Sequence, residues 1–355
     1  LDIREAGRAK RDKNGKIIRK KDGSIIKVPG SLKSTKAVGW YIDEYKKAQV
    51  SMNLTNYNIT SIEEAFEEVR KQANRRGVRV TGSEIVGLVP KEAMLRAGIY
   101  YLRKQNRSIA VPDIDIIDFG IDALGLNEIT NFNQDSSIIE NRIKKSNRLI
   151  NLEVSSFINE VSTESPAPGG GSVSALAGAL ASSLVAMVSN LSFGKKGYEA
   201  NKDLIEQIGT EAQNIKNSLL ILVDQDTKAF DGIIDALRMP KKTLEQKKIK
   251  KEQIEKTTKY AISVPLSIME FSLLTLSLSK KIMKIGNKNS ISDAGVASEL
   301  SAASINGAYM NVLINLKDID SKVYKTKILK KAKGIINKSD NEIRISRVNL
   351  YKMLK

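Results

Sequence analysis

The sequence predicts an α+β N-terminal part, a small sheet with helices, followed by an all-α helix bundle. Three observations carry this expectation. Asn-Gly and Asp-Gly pairs punctuate short apolar runs near the start, which is hairpin chemistry. Beyond about residue 150 the apolar residues recur only at helical spacing. Aromatic residues make up 5% of the 355 residues against 41% hydrophobic, so the packing falls to Leu, Ile, Val and Ala, as in bundles.

The elements follow in order. Asn14-Gly15 and Asp22-Gly23 set off Ile17-Ile18 and Ile25-Ile26, and the stretches 36–42 and 46–54 alternate as strands. A helix over 61–77 places Ile62, Ala65, Phe66 and Val69 on one face and ends at Gly77. The run VRVTGSEIVGLV, 78–89, reads as a strand with bends at Gly82 and Gly87. Pro90 opens a further helix at the favoured first position, and another covers 113–124. From about 127 to 148 the chain turns polar. This divides it into a domain over 1–134, a linker over 135–150 and a helical domain over 151–355. The helices expected there cover 152–161, 172–193, 201–237, 244–278, 293–316 and a basic stretch from about Lys322.

Composition excludes much chemistry. There is no Cys, so disulfide scaffolds, thiolate metal sites and cysteine nucleophiles are absent. There is no His, which removes the usual catalytic base, Ser–His triads and nearly all zinc sites. Catalysis would have to run on carboxylates, Lys, Tyr, amides or backbone dipoles. The net charge of +18 suits a nucleic-acid binder, an enzyme of polyanionic substrates, or a merely well-solvated surface. It is spread along the chain: 27 Lys/Arg against 19 Asp/Glu in 1–145, and 31 against 21 in 146–355. The chain opens at Leu1, inside charged sequence with no signal peptide; we expect a fragment of something longer, with a cytoplasmic location. The uncharged stretch 165–194 is long enough to span a bilayer, but its prolines, glycines, serines and alanines fit a tightly packed buried helix better.

Three segments carry candidate chemistry. In SPAPGGGSVSALAGALASS, two prolines lead into Gly169, Gly170 and Gly171, with Ser172 as candidate N-cap of a small-residue helix. Glycines at a helix start expose backbone N–H groups to an anionic or carbonyl-bearing ligand. A β-branched residue at Gly170 would then weaken binding through bulk and lost positive-φ access. The run is neither a P-loop nor a dinucleotide fingerprint, and it also reads as an interdomain hinge. In the second segment, Ala212, Ile215, Leu219, Leu222, Asp226, Ala229 and Ile233 share one helical face. A carboxyl at Asp226 is then forced into an apolar seam, which raises its pKa and suits a proton donor. A structural Asp satisfied by a neighbouring helix fits equally. Asp224, about 200° round the helix, is expected in solvent. In the third segment Asp293 sits at a helix start, where N-capping is the plain reading. Asn311 and Asn315 lie one turn apart in an apolar helix, wanting partners from other helices or from a heterocyclic ligand.

These residues resemble a known pair of domains. APGGGSVSALAGALASSLVAMVSNLSFGKKGY, LVDQDTKAF, ISVPL, SDAGVASE and GAYMNVLINLKD, in order over 151–320, are similar to the formiminotetrahydrofolate cyclodeaminase domain. Upstream, IREAGRAKRDKNGKI, VPGSLKSTKAVGWYIDEYKKAQVSMNLTNY and RGVRVTGSEIVGLVPKEAML resemble the C-terminal subdomain of glutamate formiminotransferase. The resemblance is thus to bifunctional formimidoyltransferase-cyclodeaminases, N-terminally truncated. It implies conversion of 5-formiminotetrahydrofolate to 5,10-methenyltetrahydrofolate plus ammonia, in histidine breakdown and one-carbon metabolism. It implies Asp226 as catalytic acid, and Gly169, Gly170, Gly171, Ser172, Asp293, Asn311 and Asn315 around the folate. The family's catalytic His belongs to a subdomain this chain lacks, so the transferase is expected to be inactive. Half of its folate site would remain, lined by Ser51, Asn53, Thr81, Ser83 and Glu84. The implied partners are tetrahydrofolate derivatives (as substrate and carrier, with acidic glutamate tails suiting the Lys-rich surface) and formiminoglutamate. Family cyclodeaminases form dimers or larger homo-oligomers; no metal, nucleic acid or membrane is implied. The rivals are a methenyltetrahydrofolate cyclohydrolase on the same fold and a basic interaction protein.

Overall fold

A computed structural model of the chain describes residues 1–143 and 149–355, in two compact units that divide at Lys144 and Lys145. The first unit opens with an irregular meander. Strands β1 (Arg8–Ala9) and β2 (Lys27–Val28) pair antiparallel, and isolated bridges join Arg11 to Ile17 and Arg19 to Ile25. The two Gly turns expected there form: Gly15 and Gly23 adopt φ of 81° and 84°, and the Asp12 carboxylate accepts from the N–H groups of Asn14 and Lys16. The main hairpin follows, β3 (Thr35–Ile42) against β4 (Lys47–Leu54).

Its inner residues Ala37, Met52 and Leu54 pack on α1 (Ile62–Asn74) through Ala65 and Val69. Ser61 caps α1 by accepting from the Glu64 N–H. Helices α2 (Lys91–Lys104) and α3 (Asp113–Leu124) form a second core around Met94, Ile117, Ile121 and Leu124. They touch backbone to backbone at Gly98, where a Cβ would lie 1.9 Å from the Ile116 carbonyl oxygen. Pro90 is the N-cap of α2, not its first residue.

The run 78–89 is a correction: it forms no strand. Only Val89 bridges, to Ile138, while Ser83 donates its N–H to the Gly125 carbonyl and its hydroxyl to that of Leu124. Its period-two pattern finds no ladder partner, and Val86 is left 88% exposed. The start of the expected linker holds two short helices, α4 (Gln134–Ser137) and α5 (Ile139–Ile143), anchored by fully buried Ile138. Residues 144–148 of that linker lie outside the described residues.

The second unit is helical throughout. A short helix α6 (Val154–Val161) precedes α7 (Gly170–Ser192), α8 (Lys202–Arg238), α9 (Leu244–Ile285), α10 (Ile291–Leu316) and α11 (Lys322–Met353). Helices α7 to α10 make an antiparallel square in which each packs on the next and α10 returns to α7. Small residues bring them close. A Cβ on Gly178 would lie 2.6 Å from Ser272 Oγ, and buried hydroxyl pairs join Ser182 to Thr275 and Ser272 to Ser304, each at 2.7 Å. Both α7 and α9 contain windows long and apolar enough to cross a membrane; 61% of each window is buried inside the bundle. Ion pairs Lys331–Glu270, Lys280–Glu342 and Arg347–Glu299 strap α11 onto α9 and α10.

Candidate active site

The site forms where α7 begins. The helix starts two residues earlier than its serine suggests: Gly169 is the N-cap and Ser172 stands inside the first turn, so Ser172 is not the cap. Gly169 has no side chain to accept the free N–H groups of the first turn. Asp226 on α8 performs that task from outside. Its carboxyl stands beside the Ser172 N–H, which helps to stabilise its charged form, and Ser172 Oγ lies 3.2 Å from Asp226 Oδ2. Gly171 makes this approach possible, because a Cβ there would lie 2.0 Å from Asp226 Oδ1. No hydrogen bond joins the N–H of Gly170 or Gly171 to another described residue; Gly170 is exposed and its N–H is available to a ligand, whereas Gly171 is buried against Asp226.

Burial pushes the Asp226 carboxyl above the usual carboxylate range, while the hydroxyl and backbone N–H of Ser172 pull the other way. Burial wins, as the seam position of Asp226 predicts: Leu219, Leu222 and Ala229 on the same face are all buried. Ser172 Oγ also lies 2.9 Å from the Val223 carbonyl and 3.4 Å from Thr227 Oγ1. Thr227 and the Val223 carbonyl were not singled out from sequence. Only the helical neighbourhood of Asp226 pointed toward them.

Asn311 joins the site and Asn315 stands one turn behind it. A Cβ on Gly170 would meet Asn311 Nδ2 at 3.4 Å, and this amide donates to the Gly307 carbonyl. Gly170 carries no positive φ, so that expectation is corrected; the steric demand belongs to Gly171. Asn315 has a structural task. Pro265, inside α9, supplies no N–H to the carbonyl four residues back, Ala261, and Asn315 Nδ2 donates to that oxygen at 2.8 Å.

Two expectations fail here. Asp293 is not brought to the cluster, because α10 runs antiparallel to α7 and its start lies beside the end of α7, where the Asn287 N–H reaches Ser192 Oγ. Eighteen residues of α10 separate Asp293 from Asn311, roughly 27 Å at 1.5 Å per residue. Nor does Asp293 cap α10: Ser290 holds the cap position, and Asp293 is the acid of the first turn. Asp224 is not free in solvent either. Its Oδ1 accepts from the Leu149 N–H at 2.8 Å, tying the start of this unit to α8. The glycine run lies within the second unit, not at the boundary where a hinge would sit.

On the first unit, Gln49, Ser51 and Asn53 alternate onto the outer face of β4, opposite Trp40, Val38 and Lys36. Gln49 Nε2 donates to Glu84 at 2.5 Å, which brings Glu84 to that face. Thr81 is exposed, and the Ser83 hydroxyl turns away to Leu124.

A half-buried carboxyl seated against a helix N-terminus, with the open N–H of Gly170 beside it, is the kind of site that binds a polar ligand and gives it a proton. The comparisons supply the family. The formiminotransferase-cyclodeaminase family profile matches residues 153–334 and the formiminotransferase domain profile matches 1–144. The chain belongs to the formiminotransferase-cyclodeaminase family. It is 30% identical over 345 residues to the formimidoyltransferase-cyclodeaminase of Sus scrofa, covering 96% of this chain and 61% of that protein. It is 32% identical over 186 residues to the methenyltetrahydrofolate cyclohydrolase of Methylorubrum extorquens, covering 52% and 89%. The crystal structure of formiminotetrahydrofolate cyclodeaminase from Thermotoga maritima matches with TM-score 0.51 and 28% identity, covering 58% of this chain and 98% of that one. The chain spans about 60% of the length of the bifunctional relatives it matches.

Proposed function

We propose that the second unit is a formimidoyltetrahydrofolate cyclodeaminase, with Asp226 as general acid. The observation that carries this is the carboxyl of Asp226, half-buried and held in contact with Gly171 at the start of α7. Ring closure begins when the neighbouring folate nitrogen attacks the formimino carbon, giving a tetrahedral centre that bears an amino group. Amide ion is too basic to leave, so Asp226 protonates the amino nitrogen as its bond to carbon breaks. The electron pair leaves with ammonia, and the ring nitrogen's lone pair forms the methenyl double bond. The proton shed by the attacking nitrogen completes the amino group, and a proton from solvent recharges Asp226. The N–H of Gly170 and the amide of Asn311 would orient the folate.

Asp226→Asn tests the reading. General acids typically contribute about a hundred- to ten-thousand-fold, so ammonia release and methenyl absorbance should fall by that factor. Near-full release by a folded variant would sink the assignment. The similarity to a methenyltetrahydrofolate cyclohydrolase supports a second reading on the same site, in which water opens the methenyl ring. Supplying each substrate separately to the purified chain distinguishes the two.

For the first unit we propose that the outer face of β4 lines part of a folate site. This chain has no His to move a proton in formimino transfer. The purified chain given formiminoglutamate and tetrahydrofolate should make no formimino product, and steady turnover would refute this. Tetrahydrofolate derivatives as the carrier, and a homo-oligomer as the working state, belong to the same proposal.

A further inference from the structure

The hydroxyl of Ser172 has one proton and three oxygens within reach. The nearest, the Val223 carbonyl at 2.9 Å, can only accept. With the proton given there, the Ser172 oxygen presents only lone pairs to Asp226 Oδ2 at 3.2 Å and to Thr227 Oγ1 at 3.4 Å. An ionised carboxylate would then face a second set of lone pairs, whereas a protonated carboxyl would donate to them.

Among the described residues, the surroundings offer no cation to reverse that preference. Helix α7 carries no titratable side chain between Gly170 and Ser192. On α9 none occurs between Tyr260 and Glu270, and on α10 only Tyr309 occurs between Glu299 and Lys317. The segment leading into α7 adds Glu160 and Glu164, both acidic and exposed. On α8 itself, Asp224 is occupied by the Leu149 N–H and Lys228 is exposed. The backbone N–H of Ser172 favours the ionised form, and its hydroxyl would do the same if it gave its proton to Asp226 Oδ2 instead of to the Val223 carbonyl.

We propose that Ser172 is a positioning residue which, by committing its proton to the Val223 carbonyl, holds Asp226 in the protonated, donating form that a general acid requires. This rests on the cyclodeaminase reading for its purpose, but the hydrogen-bond direction is a property of the resting protein. Thr227 completes the network as a second donor to the Ser172 oxygen.

The test is an infrared pH titration of the full chain. The protonated Asp226 carboxyl is identified by the C=O band missing from Asp226→Asn, and its midpoint is followed in wild type, Ser172→Ala and Ser172→Thr. Loss of one hydrogen bond to the neutral form should lower the midpoint by about one pH unit in Ser172→Ala. Ser172→Thr, which keeps the hydroxyl, should restore it. The alkaline limb of turnover should move down with the midpoint. An unchanged or raised midpoint in Ser172→Ala would mean that the hydroxyl donates to a carboxylate, and would overturn the proposal. The band needs no substrate. If Asp226→Asn keeps its turnover while Ser172→Ala lowers the midpoint, the catalytic reading fails and the hydrogen-bond assignment stands.

Discussion

Gly171→Ala is the sharpest perturbation the site offers. An added Cβ would stand 2.0 Å from Asp226 Oδ1, 2.4 Å from Cγ and 2.5 Å from Oδ2. Ordinary contact needs about 3.5 Å, so the carboxyl must retreat by roughly 1.5 Å or α7 must shift by as much. Neither is easy, since Asp226 sits in the middle of α8 and Ser172 is fully buried. Overpacking of this kind costs about 1–3 kcal/mol, which lowers the melting temperature of a unit this size by roughly 2–12 °C. The effect on turnover should be larger, because a misplacement of about 1 Å costs on the order of a hundredfold. Gly170→Ala is the control: its Cβ meets only Asn311 Nδ2, at 3.4 Å, on an exposed residue. Ammonia release and melting curves of the two variants decide the matter. If Gly171→Ala keeps wild-type turnover, the carboxyl is not held against this turn during the reaction.

Three further outcomes follow from the same geometry. The native state holds the Asp226 proton to higher pH than the unfolded chain, so this stability is full below the ordinary carboxylate range and lost as pH rises through the folded pKa. Asp226→Asn, neutral throughout, should therefore melt higher than wild type at neutral pH and draw level with it in acid. Asp224→Asn should leave turnover nearly intact and speed amide exchange near Leu149, whose N–H the carboxylate holds; turnover lost with no change in exchange would contradict the capping role. Asn315→Ala should cost about 1–3 kcal/mol by orphaning the buried Ala261 carbonyl, and Pro265→Ala should recover part of that by restoring an N–H four residues on. Equal losses in the two backgrounds, measured by urea unfolding, would refute the pairing.

What the sequence revealed depended on how local the cause was. The helix over 113–124 and the bundle helices are written in apolar spacing and in end residues such as Gly125, whose φ is 62°. Asp226 was legible for the same reason, since one face of α8 can be read without knowing what it meets. The strand expected over 78–89 was not settled locally. Alternation gives a segment the capacity to join a sheet, but the ladder needs a partner, and this segment's backbone turns instead to the end of α3. Asn315 misled for a related reason. A buried amide wants a partner, and the partner was a carbonyl freed by a proline fifty residues earlier in the chain.

The same distinction explains why the start of α7 lay two residues from its expected place. Ser172 has the composition of an N-cap, and a helix read alone would begin there. The bundle begins it at Gly170 because Asp226 arrives from α8 with an acceptor for the Ser172 N–H. A self-capping residue at 169 would supply that acceptor locally and leave Asp226 without its backbone partner. A side chain at 171 would exclude the carboxyl altogether. The glycines therefore transfer the capping of α7 to a residue on another helix. That transfer places a half-buried acid beside the open N–H of Gly170, a combination suited to the proposed ammonia loss from a tetrahedral centre.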